Sequence, residues 1–195
     1  MEQIYAESQI LNSAEGQKLG KSPLDFLSKE LSNFESAMEL FASRKYLPRT
    51  EVGKDFHRLC DNVPNVLVII KSGQYIAGGY TEVPFNSSPH YEETPKKKLF
   101  LYSLNRQTIY QLKHQGPSGR ITRCGKAGTS GPTFGQCGLF VANEYSEKSS
   151  YSNSYMNYDS LGEYFCSFDG QGAVKGELFG IQYFQIDAYE VWELK

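Results

Sequence analysis

Leu67-Val68-Ile69-Ile70 is an unbroken apolar run, and it constrains the fold more than any other segment. A strand with one wet face alternates apolar and polar residues, so a run without alternation marks a strand covered on both faces. Upstream, Val52, Phe56 and Cys60 fall four apart, the spacing of one helical face. Asn62-Val63-Pro64-Asn65 ends that helix, because proline has no N–H to continue it. Downstream, Lys71-Ser72-Gly73-Gln74 is turn chemistry, and Tyr75-Ile76-Ala77-Gly78-Gly79-Tyr80 is expected to return antiparallel. Adjacent glycines weaken a strand, so Gly78 and Gly79 mark a place where another group approaches the backbone closely.

The pattern beyond residue 60 is of strands, near 67–71, 75–83, 98–104, 108–113, 139–143, 155–158, 164–168 and 179–194. The 14 Tyr and 12 Phe suit pleated surfaces better than they suit a leucine-rich bundle. Many antiparallel strands without alternating helices predict a mainly β (α+β) fold, a two-sheet antiparallel β-sandwich with flanking helices. Before the strands, residues 1–21 are polar and read as a poorly ordered arm. Ser22 then offers an N-cap and Pro23 suits the first helical position. Leu24, Leu27, Leu31, Phe34, Met38 and Phe41 follow at steps of three and four, which predicts an amphipathic helix over 22–43. Its seam packs either on the domain's own sheet or on a partner; residues 44–195 are expected to form the β domain.

Charge and cysteine content narrow the function classes. The net charge is −2, yet residues 94–143 contain no Asp or Glu and hold Lys96, Lys97, Lys98, Arg106, Lys113, Arg120, Arg123 and Lys126. Such a stretch forms either a basic surface for an acidic protein tail, RNA or anionic lipid, or strands whose charges interleave with the acidic C-terminal strands. The N-terminus lacks a basic n-region and an apolar h-region, and no apolar run is long enough to span a bilayer. The expectation is a cytoplasmic protein whose Cys60, Cys124, Cys137 and Cys166 are reduced, mostly buried thiols; Asn86-Ser87-Ser88 is then a turn and not a glycosylated site.

Most candidate chemistry fails on spacing. Cys124-Gly125-Lys126-Ala127 lacks the GK[ST] step, and Pro132 follows where a phosphate loop needs a helix. His57, Cys60, His90 and His114 do not make a zinc set with close ligand pairs. No cysteine sits in a recognisable nucleophile context. Glu190 stands out differently. Phe184, Ile186, Ala188, Trp192 and Leu194 share its parity, so strict alternation aims its carboxyl into the core. It then needs a basic or backbone partner, unless a bulge near Ala188-Tyr189 resets the register.

Four motifs in order resemble the TLDc domain family of oxidation-resistance proteins, across roughly residues 41–194. They are the 56–85 unit, the strand Leu99-Phe100-Leu101-Tyr102-Ser103-Leu104, the turn Gly131-Pro132-Thr133-Phe134-Gly135, and the closing Glu190-Val191-Trp192. Gln136-Cys137 interrupts the longer glycine run that many members carry after that turn. The resemblance implies a two-sheet β-sandwich flanked by helices. It also implies association with the vacuolar-type proton ATPase and protection against oxidative stress without an established active site.

The expectation is therefore a non-catalytic module with protein partners, without DNA, metal or cofactor. Its interface candidates are the seam from Leu24 to Phe41 and the bases Lys96, Lys97, Lys98, Arg120, Arg123 and Lys126. Gly78, Gly79, Gly135, Glu190 and Trp192 are expected to be structural. The alternative is a structural component of a cytoskeletal or ciliary microtubule assembly, and a weaker one is a cysteine-dependent redox enzyme.

Overall fold

The computed structural model describes residues 1–44, 52–87, 92–93, 98–112, 120–122, 130–134, 139–142, 153–155, 165–167, 177–181 and 183–195. Two short helices, α1 (Glu2–Glu7) and α2 (Ala14–Lys18), come first, then a 3-10 turn at Asp25–Leu27. Strand β1 (Ala37–Arg44), helix α3 (Val52–Cys60), β2 (Val66–Ser72) and β3 (Tyr75–Thr81) follow. Next are β4 (Glu92–Glu93), β5 (Leu99–Ser103), β6 (Thr108–Leu112), β7 (Arg120–Thr122), β8 (Ser130–Phe134) and β9 (Leu139–Ala142). The chain closes through β10 (Asn153–Tyr155), β11 (Phe165–Ser167), β12 (Tyr183–Gln185) and β13 (Ala188–Leu194). The protein is mainly β.

Among the described residues the strands form two antiparallel sheets. One has the order β1-β13-β2-β3-β5-β6-β11 and the other β12-β10-β9-β8-β7-β4. The hairpin β2–β3 sits near the middle of the seven-stranded sheet, paired from Val66 with Thr81 to Ser72 with Tyr75. Gly73 takes φ 56 at its tip, the left-handed value that a two-residue hairpin turn wants at its first position.

The apolar run of β2 has its explanation in two cores. Val66, Val68 and Ile70 belong to a cluster with Phe134, Leu139 and Val141 of the six-stranded sheet and Phe56 of α3. Leu67 and Ile69 face the other way, into a cluster with Ile4, Leu11, Leu24, Leu27 and Leu31. A row of edge-to-face rings ties the first core together. Phe41 meets Phe56 at 6.2 Å, Phe56 meets Phe85 at 5.3 Å, and Phe85 meets Phe134 at 5.6 Å between centroids. Val52, Phe56 and Cys60 had the spacing of one helical face, and Phe56 and Cys60 are fully buried on it.

Two expectations about the N-terminal part fail. Residues 1–21 are no loose arm: they form α1 and α2, and Ile4, Ile10 and Leu11 are buried against the seven-stranded sheet. Nor do residues 22–43 form one helix. The segment makes a 3-10 turn, reverses near Ser32-Asn33, and enters β1, which pairs with β13 from Ala37–Leu194 to Arg44–Ala188. Turn-forming Ser32, Asn33 and Ser36 break the helix, and pairing with a buried strand outweighs a weak local preference. The seam divides accordingly: Leu24, Leu27 and Leu31 join the second core and Phe41 the first. Met38 is exposed and Phe34 half-buried. A register shift between Glu39 and Phe41 puts Leu40 and Phe41 against the same core, as a β-bulge does.

Candidate functional site: the Glu190 clasp and a groove at the hairpin tip

Strand β13 has regular pairing with β2 through Glu190, so no bulge turns that residue outward. Tyr189 and Val191 face the first core, and Trp192 and Leu194 face the second, with the N-terminal segment. Phe184 and Ile186 lie in the first of these cores, because the chain changes sheet between β12 and β13. Glu190 is 1 % exposed and points among the second set. Its Oε1 accepts the backbone N–H of Gln9 at 2.9 Å and of Ile10 at 3.0 Å, and its Oε2 accepts Trp192 Nε1–H at 3.3 Å. Burying a carboxyl costs several kcal/mol, roughly, unless such donors offset it. Both oxygens are thus occupied by the protein's own donors, which is the geometry of a structural clasp.

The glycine pair lies beside this clasp. Tyr102 sends its hydroxyl across Gly78 to donate to the Val68 carbonyl at 2.8 Å. A Cβ on Gly78 would run into that carbonyl oxygen. On the opposite face, a Cβ on Gly79 would stand 2.8 Å from the Phe134 ring. Burial, with Glu190 adding to it, pushes the Tyr102 phenol well above its ordinary value, so it stays a hydrogen-bond donor.

At the tip of the β2–β3 hairpin is an open groove of about 450 Å3. Tyr75 and Phe179 give it aromatic walls, and Ser72, Gly73, Gln74, Gly180, Gln185 and Asp187 line the rest. Gly180 holds φ 77 with the Tyr75 ring directly over it, so no side chain fits at that position. Ile181 stands on the rim, 59 % exposed. Asp187 accepts the Gly73 N–H at 2.7 Å, and Lys71 Nζ lies 3.6 Å from the same oxygen and 3.3 Å from Glu15. The carboxylate is therefore already engaged, and the groove offers mainly apolar and backbone surface.

Other titratable groups are built into the fold. His57 Nδ1 pairs with Asp61 Oδ1 at 2.8 Å, and Ser87 Oγ donates to Asp61 Oδ2 at 2.6 Å. Burial, with Asp61 adding to it, pushes the Cys60 thiol far above its ordinary value. Among the described residues, no three of His, Cys, Asp or Glu gather as a metal site. No helix among them is long and apolar enough to cross a membrane.

Among the described residues, the sequence-derived seam candidates are divided between two cores and the surface. Leu24, Leu27 and Leu31 are buried, so they present no free face. Lys98 Nζ is held by the Glu30 carbonyl at 2.7 Å and carboxylate at 2.8 Å. Arg120 begins β7. Lys96, Lys97, Arg123, Lys126 and Gly135 lie outside the described residues. Sequence reasoning missed the groove, because its two halves lie about a hundred residues apart and only the fold joins them. The sole local hints were Gly73 and Gly180, each a turn signal without a partner.

The search of curated proteins finds no match to this chain. A family model described as the TLDc domain matches residues 7–195, which takes in the glycine pair, the clasp and the groove. The chain belongs to the TLDc domain family.

Proposed function

We propose that this TLDc module is non-catalytic and cytoplasmic, and that it docks a protein partner in the groove at the hairpin tip. The observation that carries this is Ile181, a large aliphatic side chain 59 % exposed on the rim of an aromatic-walled groove. Because Asp187 is engaged by Gly73 and Lys71, the fitting occupant is an apolar side chain of a protein, anchored as interface hot spots are. The family resemblance suggests the vacuolar-type proton ATPase as the assembly that supplies it, with protection against oxidative stress as a consequence of docking. The two sheets then form the layers of a β-sandwich that carries the groove; the ring of Phe134 over Gly79 supports this. The buried Cys60 thiol speaks against a redox role for that residue.

Binding of the full chain to purified vacuolar-type ATPase, beside Ile181→Glu, tests the proposal. Expected is a loss of at least about tenfold in affinity, with Tm nearly unchanged because the side chain is exposed. Undiminished binding by the variant would move the docking surface elsewhere. Failure to bind the ATPase, with co-sedimentation on microtubules, would favour the cytoskeletal alternative. Consumption of peroxide by the wild type, lost on cysteine replacement, would favour the redox enzyme.

A further inference from the structure

We infer that residues 1–34 form a strap that opens as one unit from the seven-stranded sheet, with Glu190 as its buried fastening. Hydrogen bonding marks the unit. Among the described residues, the backbone–backbone bonds of 1–34 are internal, from Tyr5 N to Met1 O at 3.2 Å through Phe34 N to Leu31 O at 3.3 Å. Bonds to the sheet's backbone begin just after it, where Glu35 N and Ser36 N donate to Lys195 O at 2.7 and 3.0 Å. Tyr5 holds the strap's two halves together: its hydroxyl donates to Asp25 Oδ1 and accepts from Leu24 N, each at 2.9 Å.

Among the described residues, the polar ties from the strap to the rest of the protein run through side chains. Glu190 holds Gln9 and Ile10, Lys98 holds Glu30, Lys71 holds Glu15, and Gln3 Oε1 accepts from Ala37 N at 3.3 Å. By contrast, β2 is laddered to β13 and β3, and β3 to β2 and β5. Lifting the strap therefore breaks no ladder and leaves the first core intact. It uncovers Leu67, Ile69, Ile76, Tyr80, Phe100 and Trp192, whose burial holds it shut. A segment attached by side chains and apolar contact alone is the kind that opens sub-globally.

Native-state hydrogen exchange of the full chain tests this. Amides of Tyr5, Ser8, Leu27 and Leu31 should share one opening, at least about tenfold more frequent than that of β2 and β3 and with weaker denaturant dependence. Glu190→Gln should speed the strap amides about tenfold by weakening the clasp. Leu139→Ala, in the first core, should speed the β2 and β3 amides about thirtyfold or more while leaving the strap amides unchanged, since both strap states keep that core. One common rate for strap and sheet in the wild type would overturn the inference, as would equal acceleration of both by Leu139→Ala.

Discussion

Gly78 and Gly79 adjoin in sequence, yet they serve two different contacts. Over Gly78 the obstacle to a side chain is the Val68 carbonyl, a backbone atom in the neighbouring strand that cannot step aside. Over Gly79 the obstacles are Phe134, at 2.8 Å, and Leu101 Cδ2, at 2.9 Å, both parts of side chains. Gly78→Ala is therefore expected to be the more damaging. Gly79→Ala should cost about 1–3 kcal/mol by overpacking, and Gly78→Ala more, with loss of the Tyr102 hydrogen bond. Chemical denaturation of the two variants checks the order; equal effects would mean that the ladder absorbs the clash. Close approach was legible at this pair because strands rarely carry two glycines. The identities of Tyr102 and Phe134 as the approaching groups were not, since neither is local in sequence. Glu190 has the same character: alternation aims it inward, but its donors Gln9 and Ile10 lie about 180 residues upstream.

At the scale of elements, spacing misled where it was weakest. Leu24, Leu27 and Leu31 have steps of three and four, which a helix and a chain of tight turns satisfy equally. Leu27 N bonds to Leu24 O at 2.9 Å and Leu31 N to Leu27 O at 3.0 Å, so single turns stand where a long helix was expected. Six residues later the same apparent seam is an edge strand. The consequence is measurable: Leu27→Ala should destabilise by about 2–5 kcal/mol, because it empties a fully buried site. Met38→Ser, on a side chain 43 % exposed, should stay within about 0.5 kcal/mol. Thermal melts of the pair separate this arrangement from an exposed helical seam, for which both changes would be mild. The β2–β3 hairpin was legible almost to the residue, since its apolar run, Gly73 turn and return strand are contiguous and self-consistent.

For the whole molecule, the boundary expected at residue 44 does not divide fold from appendage. A chain trimmed to 45–195 lacks the cover over Leu67, Ile69 and Trp192 and also lacks β1, which pairs with β13. It is expected to bind hydrophobic dyes and to self-associate, whereas the 195-residue chain should not; fluorescence with size-exclusion chromatography checks this. A folded, monomeric 45–195 fragment would show that the strap and β1 are dispensable. By itself the sequence determined that the protein is mainly β and that β2 is covered on both faces, because these follow from periodicity within a few residues; for Glu190 it left two registers, and the regular β13–β2 pairing chose the inward one. Only the tertiary structure decided what does the covering. The strap, the split seam and the groove all join segments far apart in the chain, and burying apolar surface constrains how much must be covered without naming the segment that covers it.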